Sequence, residues 1–350
     1  MGLKILLGLS FFDQVDDVKE TLDSFSEIAR SSRYKIVLGL ETELDRKKIP
    51  DVKTGQSFID AIEGQKWSEC YLWDQGVNEY LNGILSQFNC RPFFDSFSYG
   101  AAVNRLIILT NITKSDYLIR VDPGTRCPED FDKLVGIHIE EIQKGIKVIS
   151  GQYTERLGIR DDFVTPGLKS SYYDLINDYT GINPCYGKQI TSGAALTLAK
   201  DGPPAIVFEG VRVWASDDGL YQLQYPRESK VQTNVKIIRE ASGVELSVSS
   251  YMSRVANMVM LNNIIQNMSN EESIKRVHEF LKKIDGFIFK GALKNGGKFD
   301  YDIEIAFAGC KVNERAILDG YEKFDCLKEN WNEIVKTILA NLSMNLIELK

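Results

Sequence analysis

Apolar runs alternate with segments of helical spacing at the start of the chain. The runs at 4–10 (KILLGLS) and 34–40 (YKIVLGL) predict two buried strands, the second ending at Glu41. Between them, 15–29 repeats apolar residues at helical spacing. A strand, a helix and a strand in succession indicate a βαβ unit, and therefore a parallel sheet with a right-handed crossover.

The same two patterns continue to about residue 240. Together they predict an α/β fold in which helices flank a mostly parallel, twisted, Rossmann-like sheet. The segment around 99–113 is interpreted as an amphipathic helix. The predicted helices are 57–63, 78–87, 99–113 and 130–144, and the predicted strands are 116–121, 147–151, 189–198 and 235–239.

Past Ser247 the pattern becomes helical, with predicted helices over 250–266, 271–284 and 325–349. This change divides the chain into a first domain, 1–245, and a mainly helical C-terminal extension, 246–350. The apolar positions of the first of these helices are interpreted as packed core, with an acceptor lid or a homodimer surface as the alternatives. They are Val255, Met258, Leu261, Ile264 and Ile265.

Composition and charge exclude several classes of partner. The 350 residues include 42 basic and 49 acidic side chains, a net charge of -7. Because no dense basic run occurs, nucleic acid and anionic membrane are not expected as main partners. No apolar stretch is long enough for a transmembrane helix, and the first apolar run leads into acidic residues rather than a cleavage site. Six cysteines without CxxC spacing are typical of reduced thiols, so we predict a cytoplasmic protein.

Asp122 is the most informative acidic residue, because it follows the predicted strand 116–121 directly. Ligands of open α/β sheets bind at the carboxyl ends of strands, so this carboxylate is placed to hold a metal or a ribose. The following Pro123-Gly124-Thr125 is also turn chemistry, so Asp122 serving only as a turn cap stays open.

Further residues join Asp122 in a fixed order along the chain. Over about residues 3–240 this order resembles the family-2-type glycosyltransferases of the GT-A fold. The matching residues are Ser10, Phe12 and Asp13 after the first strand, Glu41, then Gly100, Ala102 and Asn104 at a helix start, Ser115-Asp116-Tyr117 before Asp122 and Gly124, Ser192-Gly193-Ala194, and the pair Asp217-Asp218.

The resemblance implies transfer of a sugar from a UDP-, GDP- or dTDP-sugar to a hydroxyl of a small molecule or glycan. The expected route is inversion, with Asp218 as general base and Asp217 as second choice, and retention stays open as the alternative. A helix cap is the alternative role for the Asp217-Asp218 pair. Gly193 and Trp214 would lie on the acceptor side, with core packing as the alternative for Trp214. The implied donor-binding residues are Ser10, Phe12, Asp13, Glu41 (on the base), Gly100, Asn104, Arg120, Asp122 and Gly124.

Two departures from the family concern the diphosphate. Val103 stands where the family has an arginine, and Gly124 replaces the second metal-binding acid. Either Asp122 alone holds Mn²⁺ or Mg²⁺, or the transfer needs no metal and arginines offset the diphosphate. Of the two histidines, His138 is interpreted as structural and His278 as an alternative metal ligand. The candidate arginines, each with a surface charge as the alternative, are Arg120, Arg126, Arg156 and Arg160.

Two other functions are weighed against this one. A catalytically silent nucleotide-sugar-binding protein or partner subunit is favoured by Val103 and Gly124 and disfavoured by the Asp217-Asp218 pair. A sugar-nucleotide nucleotidyltransferase would need a glycine-rich, basic loop after the first strand. The chain has Ser-Phe-Phe-Asp there, which disfavours this activity.

Overall fold

The structure is a computed structural model, and its fold is organised around one sheet. It describes residues 2–11, 15–42, 67, 69–94, 98–128, 130–153, 164–165, 167–182, 195–213, 227–239, 248–288, 302–342 and 347–348. The strands are β1 (Lys4–Phe11), β2 (Lys35–Thr42), β3 (Cys70–Trp73), β4 (Tyr117–Val121), β5 (Thr125–Arg126), β6 (Val148–Tyr153), β7 (Leu196–Ala199), β8 (Lys230–Arg239) and β9 (Ile347–Glu348).

Eight α-helices lie within these ranges. Short 3₁₀ turns occur at Ser86–Phe88, Arg91–Phe93 and Arg227–Ser229. The helices are α1 (Val15–Ser31), α2 (Gln75–Leu85), α3 (Tyr99–Ile112), α4 (Phe131–Gln143), α5 (Lys169–Thr180), α6 (Val248–Ile265), α7 (Asn270–Asp285) and α8 (Ile303–Leu342).

The strands follow the order β5-β8-β6-β7-β4-β1-β2-β3-β9. Strands β1 to β4, β6 and β8 run in one direction, while β7 is inserted antiparallel between β4 and β6. This topology confirms the predicted α/β fold, a mostly parallel sheet flanked by helices, with a helical C-terminal extension. At the far edge, β9 pairs antiparallel with β3.

The sheet separates two hydrophobic cores, and alternate residues of β1 point into them. Ile5, Leu7 and Leu9 join the core that includes α1 and α4, whereas Leu6 joins the larger core on the other face. On that face, a Cβ at Gly8 would lie 2.7 Å from Leu118 Cδ1. The glycine therefore permits the close packing of the sheet against the helix layer.

Helix α3 is buried along its whole middle, in contrast to the predicted amphipathic helix. Every residue from Gly100 to Thr110 is buried, because α3 packs against β2 on one side and α8 on another. A helix enclosed in this way needs apolar residues all around, and its few polar side chains need partners. Its buried polar residues prove to be the ones that organise the candidate site.

The C-terminal helices complete the larger core rather than forming a core of their own. Val255, Met258 and Leu261 of α6 are fully buried in it, which confirms the prediction of core packing for these positions. Trp331 of α8 donates its Nε1–H to the carbonyl of Gly202 at 3.0 Å. The homodimer surface and the 245/246 domain boundary stay predictions. None of the helices in the described ranges combines the length and apolarity that a membrane crossing needs.

Candidate active site

Three predicted site residues meet at one edge of the sheet. Ser10 lies opposite Glu41 in the β1–β2 register, and Leu9 lies opposite Val121 in the β1–β4 register, so Asp122 follows at the same edge. Because β1, β2 and β4 are parallel, this is the edge formed by their carboxyl ends. The structure thus brings Ser10, Glu41 and Asp122 together as the sequence predicts.

The turn after β4 explains the glycine that replaces the second acid. Thr125 N donates to Asp122 O at 3.2 Å, Pro123 is the second residue, and Gly124 has φ +77°. This combination is the signature of a type II turn, in which the third position favours glycine. An aspartate at this position would have to adopt a left-handed φ, which L residues disfavour.

The same turn is fixed to the start of α1. Gly124 N donates to Asp17 O at 3.1 Å, and Thr125 N donates to Thr21 Oγ1 at 3.1 Å. The backbone N–H groups of two successive turn residues therefore donate hydrogen bonds to α1. The turn is held rigidly in place beside Asp122.

Asp122 is held by two side chains that the sequence analysis did not connect with it. Arg120 Nη2 donates to Asp122 Oδ1 at 2.7 Å, and the Tyr99 hydroxyl donates to the same oxygen. The Arg120 guanidinium carbon lies 3.4 Å from the centre of the Tyr99 ring, a cation–π contact. Charge-assisted hydrogen bonds of this kind fix the orientation of the carboxylate.

This arrangement corrects the role predicted for Arg120. The residue was a candidate cation for the donor diphosphate, but its side chain is fully buried and occupied by Asp122 and Tyr99. Its positive charge instead offsets the negative charge of Asp122 within the protein interior. Tyr99 could have been found from its place directly after the N-cap Ser98, although nothing in the sequence points its hydroxyl at Asp122.

Glu41, which is predicted to contact the nucleotide base, forms an ion pair within the protein. Its carboxylate lies 2.6 Å from Arg105 Nη2, and both side chains are 3% exposed or less. The contact is an ion pair rather than an aligned hydrogen bond. Arg105 Nη1 also donates to the carbonyl of Phe94 at 2.5 Å. The pair joins β2, α3 and the 91–94 turn, and the contact of Glu41 with the nucleotide base stays a prediction.

Arg105 is a residue that sequence reasoning missed. It lies two positions after Val103, the site of the missing family arginine, and Val103 itself is core. The available signal was a charge within an almost entirely apolar helix, since a buried arginine requires a partner.

Asn104 likewise has a structural role in place of the predicted donor contact. Its amide nitrogen donates to Ala205 O at 3.0 Å and Phe93 O at 3.3 Å, and its oxygen accepts from Ala205 N at 2.8 Å. Because the side chain is fully buried and both amide protons are used, it fastens α3 to the neighbouring segment.

Two other donor-site predictions fall on described residues. Ser10 Oγ is buried and makes no hydrogen bond within the described part of the chain, which leaves it available to a ligand. Gly100 is buried in the first turn of α3. Several predicted residues lie outside the described ranges: Phe12, Asp13, Arg156, Arg160, Gly193, Trp214, Asp217 and Asp218.

Among the described residues at this edge, Asp122 is the candidate metal ligand. No group of three His, Cys, Asp or Glu side chains suited to a metal occurs among them. Asp122 could contribute one ligand, and Mg²⁺ or Mn²⁺ can complete its shell with phosphate oxygens and water. The ring centres of His278 and Phe307 of α8 lie 4.6 Å apart, and His278 Nε2 lies 3.8 Å from Glu304 Oε1. His278 therefore packs against α8.

His138 has the structural role that the sequence analysis predicts. Its two ring nitrogens lie 2.7 Å from Thr197 Oγ1 and 2.9 Å from Thr233 Oγ1, linking α4 to β7 and β8. Burial lowers the pKa of this imidazole to about 4. The five cysteines in the described ranges are free thiols.

The low pKa of His138 predicts an acid-sensitive fold. Between pH 6.5 and pH 4 the unfolded chain binds a proton at this residue and the folded chain does not, so stability is lost as the pH falls. The loss in the free energy of unfolding that is due to His138 should approach about 3 kcal/mol near pH 4. The free energy of unfolding, measured in urea, should fall from pH 7 to pH 4.5. His138→Gln should reduce the slope of this fall, and His278→Gln should leave it unchanged. An unchanged slope in His138→Gln would contradict this assignment.

Comparisons with known proteins give likeness to solved structures only. No protein-family model matches the chain, and no curated protein matches its sequence. A mycobacterial protein has 13% identity and a TM-score of 0.47, over 77% of this chain and 76% of that one. The glucosyl-3-phosphoglycerate synthase of Mycobacterium tuberculosis, solved with Mn²⁺, UDP and phosphoglyceric acid, has 11% identity and a TM-score of 0.47, over 77% and 80%.

A third structure is the mannosyl-3-phosphoglycerate synthase of Rubrobacter xylanophilus, with 13% identity and a TM-score of 0.45, over 86% of this chain and 80% of that one. The likeness is remote.

Proposed function

We propose that the chain is a glycosyltransferase that binds a nucleotide-diphosphate sugar at the carboxyl edge of β1, β2 and β4. The observation that carries the proposal is Asp122, held at the end of β4 by Arg120 and Tyr99. A buried carboxylate fixed at this edge is suited to a ribose or a diphosphate-bound metal. Ser10, whose buried hydroxyl has no hydrogen-bond partner among the described residues, supplies a second polar group there.

The proposed reaction requires one base and a stabilised leaving group. Asp218, or Asp217 as second choice, accepts the proton of the acceptor hydroxyl as its oxygen bonds to the anomeric carbon. The bond from that carbon to the diphosphate oxygen breaks, and the nucleoside diphosphate departs. Direct attack of this kind inverts the anomeric centre, so the configuration of the product tests the proposed base.

The leaving diphosphate needs cationic stabilisation. A divalent metal bound by Asp122 would supply it as a Lewis acid. Arg126, a candidate for the metal-independent alternative, pairs with Glu20 at 2.9 Å in the structure, so its charge is already offset. This favours the metal, together with Asp122, over Arg126.

Calorimetric titration tests the proposed donor site. UDP, GDP, dTDP and CMP, and their sugars, are each titrated with and without Mn²⁺, beginning with UDP. We expect micromolar, Mn²⁺-dependent binding of one nucleoside diphosphate, and a loss of about tenfold or more in Asp122→Asn because the carboxylate ligand is removed. Asp319→Asn on the exposed face of α8 should bind as the wild type does.

Absence of binding for every nucleotide would refute the proposed donor site. Tight binding that needs no Mn²⁺ and survives in Asp122→Asn would refute the role of Asp122 while retaining the transferase. The nucleotide that binds names the donor base.

One observation favours the catalytically silent alternative. Arg120 offsets the charge of Asp122, and the turn holds Gly124 where the family has a second acid. A silent protein would bind the nucleotide sugar and neither hydrolyse nor transfer it. Release of nucleoside diphosphate over hours of incubation, abolished in Asp218→Asn, would exclude this alternative.

A further inference from the structure

The backbone of Arg212 meets the face of α6 that carries Arg254. Asn257 Nδ2 donates to the backbone carbonyl of Arg212 at 2.9 Å. Arg254 lies three residues before Asn257 and therefore on the same face of α6. Asn257 is also contacted by Asn313 of α8, at 3.5 Å, which helps to hold this junction in place.

The two guanidinium groups repel each other. Burial and the nearby charge of Arg212 both lower the pKa of Arg254, and no acid among the described residues acts against them. Neither side chain has a carboxylate partner within the described ranges, which contrasts with the paired Arg105, Arg120 and Arg126. Two neighbouring positive charges become favourable when an anion lies between them.

The accessibility of the pair suits a ligand. Arg212 is exposed, whereas Arg254 of α6 is half-buried. One arginine can therefore be reached from solvent, and the other is partly desolvated, which strengthens its attraction for an anion.

The position along the chain relates the pair to the acceptor. Trp214, which the resemblance places on the acceptor side, follows Arg212 by two residues. The proposed catalytic pair, Asp217 and Asp218, follows three residues later still. An anion held at Arg212 is therefore tethered by a short piece of chain to the residues proposed to receive the acceptor.

We propose that Arg212 and Arg254 bind an anionic group, a carboxylate or a phosphate, of the acceptor. The anion site stands on the two arginines alone, and its assignment to the acceptor rests on the proposed function. Guanidinium groups suit both anions, because they can offer two parallel N–H donors to a pair of oxygens. The acceptor class is then an acidic hydroxy compound rather than a neutral glycan.

Titration with inorganic phosphate at constant ionic strength, followed by calorimetry, tests the site. We expect saturable binding in the wild type that weakens by about tenfold or more in Arg254→Gln and in Arg212→Gln, since each removes a charge-assisted contact. Arg315→Gln, which removes an exposed arginine of α8 paired with Asp319, should leave the affinity unchanged. Because Arg212 is exposed, its variant is expected to unfold at the wild-type temperature, so it provides a test even where Arg254→Gln is unstable.

The outcomes separate this inference from the proposed function. Absence of saturable phosphate binding, or wild-type affinity in both arginine variants, overturns the anion site. Arginine-dependent phosphate binding in a protein that binds no nucleoside diphosphate supports the anion site and refutes the donor site. Where phosphate and a nucleoside diphosphate both bind, transfer to glycerol 3-phosphate is compared with transfer to glycerol. Transfer to glycerol 3-phosphate alone, lost in Arg212→Gln while UDP binding persists, supports the assignment to the acceptor. Equal transfer to the two acceptors overturns it.

Discussion

Replacing Glu41 with glutamine is expected to lower the free energy of unfolding by about 3–5 kcal/mol. The substitution keeps the shape of the side chain but leaves the buried Arg105 guanidinium without its counter-charge. A buried charge that loses its partner is far more costly than an exposed one. Urea unfolding at pH 7 measures the change.

The exposed pair of Glu20 and Arg126 provides the matched control. Both side chains are about 40% exposed, at 39% and 45%, and the charges lie 2.8 Å apart. Glu20→Gln should therefore cost less than about 1 kcal/mol. The double variant Glu41→Leu with Arg105→Met should recover much of the stability that Glu41→Gln loses. A loss in Glu41→Gln no larger than that in Glu20→Gln would show that Glu41 does not compensate Arg105.

Replacing Asp218 with asparagine is expected to lower kcat/KM for transfer by about 10²–10⁴-fold, the usual contribution of a general base. The amide keeps the size of the side chain but cannot accept the proton of the acceptor hydroxyl. Because the proposed donor site consists of other residues, the affinity for the nucleoside diphosphate should stay within about twofold of wild type. Initial rates and calorimetry on the same preparations measure both quantities.

Asp217→Asn is the comparison that assigns the base. A smaller loss there than in Asp218→Asn identifies Asp218, and the reverse order identifies Asp217. Proton NMR of the product reports the anomeric configuration. A product that retains the donor configuration, or full activity in both variants, would rule out direct attack assisted by this pair.

The sequence predicts the first βαβ unit well because local pattern and tertiary burial agree there. Strands β1 and β2 are continuous apolar runs, as strands covered on both faces must be, and α1 begins at the predicted Val15. Asp122 was predictable for the same reason. Its strand is short but almost wholly buried, and its turn carries a proline and a glycine in the positions that a type II turn requires.

Elements without a strong local pattern could not be predicted. Strand β3 has four residues and gains its stability from pairing with β2 and β9, both distant in sequence. Helix α5 is largely polar and is held by the few buried residues that reach the core, among them Tyr172 and Ile176. Helix α8 begins 22 residues before the predicted start, at 303 rather than 325. Its early half contains Gly320, where a Cβ would lie 2.6 Å from Phe208, so packing overrides helix propensity there.

The partners of the site residues depend on contacts across the fold. Nothing local connects Glu41 to Arg105, which is 64 residues away, or Asn104 to Ala205. The family resemblance predicted ligand roles for Glu41 and Asn104, and the fold gives both side chains partners within the protein. Buried polar side chains need partners, and only the tertiary structure shows whether a ligand or the protein supplies them.

The pairing of β9 with β3 has a consequence for how the molecule behaves in a concentrated solution. Without β9, β3 would present a row of unpaired backbone groups, which is a template for the strand of another molecule. The short strand β9 thus covers two residues of β3 at this edge of the sheet. Its presence discourages edge-to-edge aggregation, a task unrelated to sugars, nucleotides or metals.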